Sequence, residues 1–169
     1  AEPFPDAGLA IAPLYDEPFM AAVPANHLLA KKSEVTSEEL KNETMLLLGS
    51  GHCFRDHVLE VCPEFARFSS NAEGIRRSFE GSSLETIKHM VAAGMGVTLV
   101  PRLSVPKSAL AVKPRRHEDA FVKYLPFAGD PPTRRVVLAW RRSFTRYEAI
   151  AALRNAIYAC ELPGVQRLS

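Results

Sequence analysis

The chain has 169 residues, enough for one domain or two small lobes, and its 47% hydrophobic content is that of an ordinary globular protein. With 21 Lys and Arg against 19 Asp and Glu, it lacks the basic stripe of a domain that binds nucleic acid by itself. The longest apolar run, Met90 to Pro101, is broken by Gly94 and Gly96 and falls short of the ~18–20 residues a membrane span requires, so it reads as core.

The opening Ala1-Glu2-Pro3-Phe4-Pro5-Asp6 has neither the basic nor the apolar region of a signal peptide. It also has no Met and no early helix, which leads us to expect further sequence upstream. Gly8 to Tyr15 and Phe19 to Pro24 are apolar, short and punctuated by prolines, which predicts two strands. Thr36 to Leu40 predicts a short helix capped by Thr36 or Ser37, with Glu38 and Glu39 in its first turn. Met45 to Leu48 reads as a buried strand and Gly49-Ser50-Gly51 as a flexible turn. His52 to Val61 suits a helix of under three turns, ended by Pro63. Glu64 to Asn71 reads as irregular and Ile75 to Phe79 as a strand. Ser82-Ser83-Leu84-Glu85 reads as a capping box in which Ser82 bonds the amide of Glu85. Its helix places Leu84, Ile87 and Val91 on one face and stops at Gly94. Val97 to Val100 is a strand ended by Pro101, and Lys107 to Ala120 a polar loop. Phe121 to Leu125 and Val136 to Trp140 are strands. Arg146 to Cys160 is an amphipathic helix with Ile150, Leu153, Ile157 and Tyr158 on its apolar side. Strands alternating with helices predict an α/β fold with mostly parallel sheets.

Three cysteines are too few for a secreted disulfide scaffold. We expect a reducing cytoplasm, where a disulfide is catalytic or redox-sensing rather than structural. Cys53 follows a glycine turn and opens a helix. Unpaired amides and the positive end of the helix dipole favour a thiolate there, and His52 and Arg55 add positive charge nearby. The blander reading is a small buried hydrophobe. Cys62 lies nine positions on. A continuous helix separates such residues by about 13 Å along its axis, on opposite sides, whereas a disulfide needs Cα atoms within about 7 Å. Helix and disulfide therefore exclude one another: joining the two cysteines unwinds the segment between them. Alternatively both stay reduced and never meet.

His52, Cys53, His57 and Cys62 are zinc-ligand types, but their spacing matches no standard zinc site, and no metal is expected. No Cys-x-x-Cys occurs. Cys160 has no basic neighbour at three or four positions and reads as structural. His27, His89 and His117 read as surface or helix-face residues. Arg134-Arg135 reads as a solvated strand end, and Arg141, Arg142 and Arg146 as a small basic surface cluster.

Gly51-His52-Cys53-x-Arg55-Asp56 with Cys62 nine positions on, then Ser83-Leu84-Glu85-Thr86, Met90-Val91-Ala92-Ala93-Gly94-x-Gly96-x-Thr98-Leu99-x-Pro101, resembles the OxyR-like, LysR-type bacterial transcription regulators. Tyr15-Asp16-Glu17-Pro18 and Leu125-Pro126 carry the same likeness, which covers nearly the whole chain. The Ser-Leu-Glu-Thr stretch is shared by many LysR-type effector domains; the cysteine pair after Gly-His is the specific part. The resemblance implies an α/β, periplasmic-binding-protein-like regulatory domain of two subdomains. Residues 1–17 and 135–169 would belong to the first, incomplete here, and residues 18–134 to the second. The helix-turn-helix DNA-binding domain is absent from this sequence.

The resemblance also implies a mechanism. Hydrogen peroxide oxidises Cys53 to a sulfenic acid, Cys62 condenses with it to a disulfide, and a thiol reductant resets the pair. His52 and Arg134, with Arg135 as the other possibility, would orient the peroxide, together with an upstream threonine that this sequence does not contain. The family forms dimers and tetramers, and the helix from Leu84 to Ala93 would belong to the dimer surface. Refolding of the cysteine loop would alter contacts with promoter DNA and RNA polymerase. The implied protein is a cytoplasmic regulator that uses no cofactor and is no enzyme. Two other readings stand beside it. One is an ordinary LysR-type effector domain binding a small molecule between its subdomains with idle cysteines. The other is a thiol peroxidase, which would need a reductant-docking motif that is not visible.

Overall fold

The computed structural model describes residues 8–49, 52–63, 78–110 and 120–168. The chain folds as two compact units, one from residues 1–18 and 133–169 and one from residues 19–132. Strand β1 (Leu9–Pro24) is a single strand of 16 residues where the sequence predicts two. The prolines that suggest a break are tolerated for local reasons. Pro13 lies at a register shift between Pro13 and Tyr15, where a missing amide disturbs the ladder little. Pro24 ends the strand. The acids Asp16 and Glu17 at mid-strand are each held by an arginine on the facing strand.

In the larger unit, β1 from Phe19 onward is flanked by β4 (Thr98–Pro101) and β5 (Val122–Pro126), both antiparallel to it. Ala21 lies opposite Leu99 in one direction and Leu125 in the other. The three residues are fully or almost fully buried. Strand β2 (Met45–Leu48), buried at all four positions, pairs in parallel with β3 (Ser78–Gly81). Backbone bonds from Leu46 to Val97 and from Val97 to Thr44, each 2.8 Å, tie β2 to the turn before β4. The expectation of mostly parallel sheets is thus corrected: every described neighbour of β1 runs antiparallel to it. Parallel pairing needs a long crossover, usually a helix. The one described parallel pair of strands, β2 and β3, has helix α2 between its members, whereas β5 and β6 follow one another with no described helix between them.

Helix α1 (Ser37–Leu40) carries the expected cap. Thr36 accepts the amide of Glu39 at 3.3 Å, and Glu39 accepts the amide of Thr36 at 2.9 Å. Helix α2 is Cys53–Val61. Helix α3 (Leu84–Ala92) starts one residue later than the capping box predicts. Ser83, in an extended conformation, is its cap and accepts the amide of Thr86 at 3.1 Å. The reason is Glu85, which meets Lys88 at 2.8 Å instead of reaching back. Lys88 also donates to the Ser104 carbonyl at 2.8 Å, fixing α3 to the turn after β4. Ile87 and Val91 are buried, and Leu84 is half-buried. The polar loop after Pro106 begins with a 3-10 turn, Lys107–Leu110.

In the smaller unit, β1 from Leu9 to Pro18 lies between β6 (Thr133–Arg141) and β7 (Gln166–Arg167), both antiparallel. Helix α4 (Tyr147–Ala159) follows β6. None of its residues is buried: Ile150, Ile157 and Tyr158 are half-buried and Leu153 is exposed, so its apolar side is little covered. Calls on residues 1–7, 50–51, 64–77 and 111–119 lie outside the described residues. Among the described residues, no helix is long and apolar enough to cross a membrane.

Gly96 is required by close approach. A Cβ there would stand 2.4 Å from the Thr44 carbonyl and 3.2 Å from Leu46. Backbone rather than a flexible side chain blocks the space, so Gly96→Ala should cost about 3 kcal/mol of stability in urea unfolding. A loss below about 1 kcal/mol would show that the turn after α3 yields easily.

Candidate redox site

The site is one short helix with a cysteine at each end. Strand β2 ends at Leu48, and the chain re-enters the described structure at His52. His52 is extended (φ −91°, ψ 117°) and offers no side-chain cap, but its carbonyl accepts the amide of Arg55 at 2.9 Å. Cys53 is the first helical residue and is exposed. Its thiol therefore stands at the helix end where amides lack internal acceptors and the dipole is positive.

Helix α2 buries Phe54, Arg55, His57 and Val58. The Phe54 ring meets Phe19 of β1 at a centroid distance of 5.5 Å, and the His57 ring meets Phe19 at 6.3 Å. The Arg55 guanidinium donates to the Leu48 carbonyl at 2.9 Å. At the far end Cys62, fully buried, donates its amide to the Val58 carbonyl at 3.0 Å and then leaves the helical conformation. All three cysteines are thiols. The nine-residue rise of about 13 Å places Cys53 and Cys62 well beyond the 7 Å or so that a disulfide spans. Of the two mutually exclusive arrangements, helix or disulfide, the structure has the helix.

His52, Cys53 and Cys62 are thus brought onto one element and its caps. Arg134 belongs to the smaller unit, on β6. Its Nε and Nη2 both donate to Glu17 Oε2, at 2.9 and 2.8 Å, and Glu17 is almost wholly buried. Arg135 clasps Asp16 with two bonds of 2.9 Å, one to each carboxylate oxygen. Those bonds hold the Asp16 carboxyl below its ordinary range. Burial, then the charge of Glu17, push the Tyr15 phenol up, while Arg134 opposes them. The Arg134-Arg135 pair is therefore a cross-strand ion-pair ladder rather than a plain solvated strand end. The clue was present as two adjacent acids, Asp16-Glu17, and two adjacent arginines, Arg134-Arg135, which register opposite one another.

Arg55 is buried, and its guanidinium is bonded to the end of β2. His27 has a structural role: Nδ1 accepts the Leu29 amide at 3.2 Å, and Nε2 lies 3.1 Å from Glu43. His89 is exposed, and His117 lies outside the described residues. Among the described residues no three His, Cys, Asp or Glu side chains are grouped to hold a metal. Cys160 caps α4 and donates to the Ala156 carbonyl at 3.3 Å.

Comparison with known proteins adds an independent observation. The family described as LysR substrate binding domain matches residues 1–159. The chain is 37% identical over 142 residues to the DNA-binding transcriptional dual regulator OxyR of Escherichia coli K12, covering 82% of this chain and 42% of that protein. It thus spans about two-fifths of the length of that curated relative. Its fold is similar to the reduced form of OxyR from N. meningitidis, with a TM-score of 0.85, 38% identity and coverage of 99% of this chain and 73% of that one. It is also similar to the oxidized form of OxyR, with a TM-score of 0.67, 32% identity and coverage of 91% and 66%.

Two outcomes follow from the geometry. In the folded dithiol protein, iodoacetamide should modify Cys53 and Cys160 about tenfold or more faster than Cys62, because a buried thiol reacts only through local opening; peptide mass spectrometry reads the order, and equal rates would contradict the burial of Cys62. Arg134→Ala should lower stability in urea by about 3 kcal/mol, because it removes the cation from a buried carboxylate. A neutral result would mean that Glu17 does not depend on Arg134.

Proposed function

Because this chain belongs to the LysR substrate-binding-domain family, we propose that it is the peroxide-sensing regulatory domain of an OxyR-type transcription regulator, with Cys53 as the sensing thiol and Cys62 as its disulfide partner. The observation that carries the reading is the placement of the two thiols. One is exposed at the N-terminus of α2, and the other is buried where the same helix ends.

The chemistry balances in two steps. The Cys53 thiolate attacks one oxygen of hydrogen peroxide and the O–O bond breaks. The departing hydroxide takes a proton to become water, and Cys53 becomes a sulfenic acid. Cys62 then attacks the sulfenic sulfur, the S–O bond breaks, and the hydroxyl leaves as a second water once protonated. Peroxide is reduced by two electrons, and the two thiols are oxidised to one disulfide. Two equivalents of a small thiol reverse the change, becoming a disulfide themselves. His52, beside Cys53, is the group we assign to orienting the peroxide.

The step that makes this a signal is mechanical. Disulfide formation must dismantle α2 and withdraw Cys62 from the core. In this proposal the two compact units correspond to the two regulatory subdomains. Refolding around α2 alters packing between copies of the chain, within dimers and tetramers. That change reaches promoter DNA through a helix-turn-helix domain outside this sequence, and from there RNA polymerase, in the cytoplasm. One oxidation per chain suffices, so the protein acts as a sensor rather than a peroxidase.

Brief treatment of the full chain with stoichiometric peroxide, then alkylation and peptide mass spectrometry, tests the reading. We expect one linked Cys53–Cys62 pair with Cys160 still alkylated, and no linked pair in Cys53→Ser. Thiols persisting at both positions would contradict the sensor and turn attention to a small-molecule effector.

A further inference from the structure

Helix α2 is weak by its own local chemistry. Its nine residues fall below the ~12–15 at which isolated helices become even marginal. His52 gives it no side-chain cap. Its first turn holds Arg55, a cation at the end where the dipole favours anions, offset by Asp56 alone. Packing and a buried hydrogen bond from Arg55 help to hold it instead. Phe54 lies on Phe19, Val58 is in the core, and the buried Arg55 donates to the carbonyl of Leu48 at 2.9 Å. Leu48 is the last residue of the fully buried strand β2. The bond therefore ties the first turn of the helix to a part of the core that contains neither cysteine.

We propose that Arg55 is a positioning residue whose bond to the Leu48 carbonyl latches α2 in the dithiol form and thereby sets the redox equilibrium of Cys53 and Cys62. The inference rests on the sensor reading and adds what controls its set point. Arg55 lies two positions after Cys53, inside the loop that a disulfide would close. Drawing the cysteines from about 13 Å apart to within about 7 Å must displace the backbone that carries it. The bond then belongs to the dithiol form alone. The half-reaction takes up two electrons and two protons as the disulfide becomes two thiols. A contact made only on the dithiol side favours reduction, and its loss favours the disulfide. Arginine suits the task because its planar fork holds a fixed direction and its charge persists at any working pH.

The test is a redox titration of the full chain in glutathione buffers, quenched with acid, for wild type, Arg55→Met and Arg55→Lys. Arg55→Met should lower the dithiol-to-disulfide ratio about tenfold at a given buffer, which is about 30 mV toward more negative potential. In urea it should destabilise the dithiol form and leave the disulfide form unchanged. Arg55→Lys, which keeps the charge but not the fork, should shift the ratio in the same direction by about threefold. It carries the test if Arg55→Met fails to fold. An unshifted midpoint with both redox forms equally destabilised would overturn the proposal, because Arg55 would then be merely structural. A wild-type midpoint in Arg55→Lys would also overturn it, since charge rather than the bond would be acting. Absence of any Cys53–Cys62 disulfide in the wild type would instead remove the sensor reading beneath it.

Discussion

A chain wound into an α-helix advances about 1.5 Å per residue, and that fixed pitch keeps Cys53 and Cys62 out of bonding reach while α2 persists. The rest of the redox site follows from this separation. Cys53 can meet a small oxidant in solvent because it heads the helix and is exposed. Cys62 is shielded because it ends the helix within the core. The pair cannot close by small adjustment, so a disulfide between them would require α2 to unwind. Packed interiors switch between discrete arrangements more readily than they deform continuously.

The surroundings divide into parts that can yield and parts that cannot. Strand β2 is buried at every position and bonded to β3 and to the turn before β4. The sheet of β4, β1 and β5 carries Ala21, Leu99 and Leu125 at its centre. Against that frame α2 contributes one face, Phe54, His57 and Val58, plus the Arg55 bond. None of the described strand pairings involves a residue of α2, which is what a local switch requires. The smaller unit shows a different economy: its Asp16–Arg135 and Glu17–Arg134 pairs neutralise two acids at mid-strand, while its helix α4 keeps an apolar side in solvent.

Much of this was legible in the residues. Met45 to Leu48, a helix from His52 to Val61 and a cap at Thr36 or Ser37 follow from short-range rules of burial, proline and capping, and the structure has the strand, the helix from Cys53 and the cap at Thr36. Those rules failed where long-range pairing decided. Pro13 and Pro18 suggested a break in β1, but partners on both sides hold it as one strand. The sense of pairing around β1 depends on which strands meet, which local periodicity does not encode. Ser83 rather than Ser82 caps α3 because Glu85 finds Lys88. The separation of Cys53 and Cys62 was legible because a helix fixes the distance between residues nine positions apart. The buried bonds of Arg55 and Arg134 were not, because arginines are most often solvated and the partners, Leu48 and Glu17, are fixed by tertiary register.

The mutual exclusion of α2 and the Cys53–Cys62 disulfide is most directly tested by amide hydrogen exchange of the full chain before and after stoichiometric oxidation. The account predicts that the amides of His57 to Cys62, protected in the dithiol form by bonds within the helix, exchange freely once the disulfide forms, while those of Leu46 and Val97 stay protected. A disulfide formed with α2 protection unchanged would contradict the account, because the helix and the bond would then coexist.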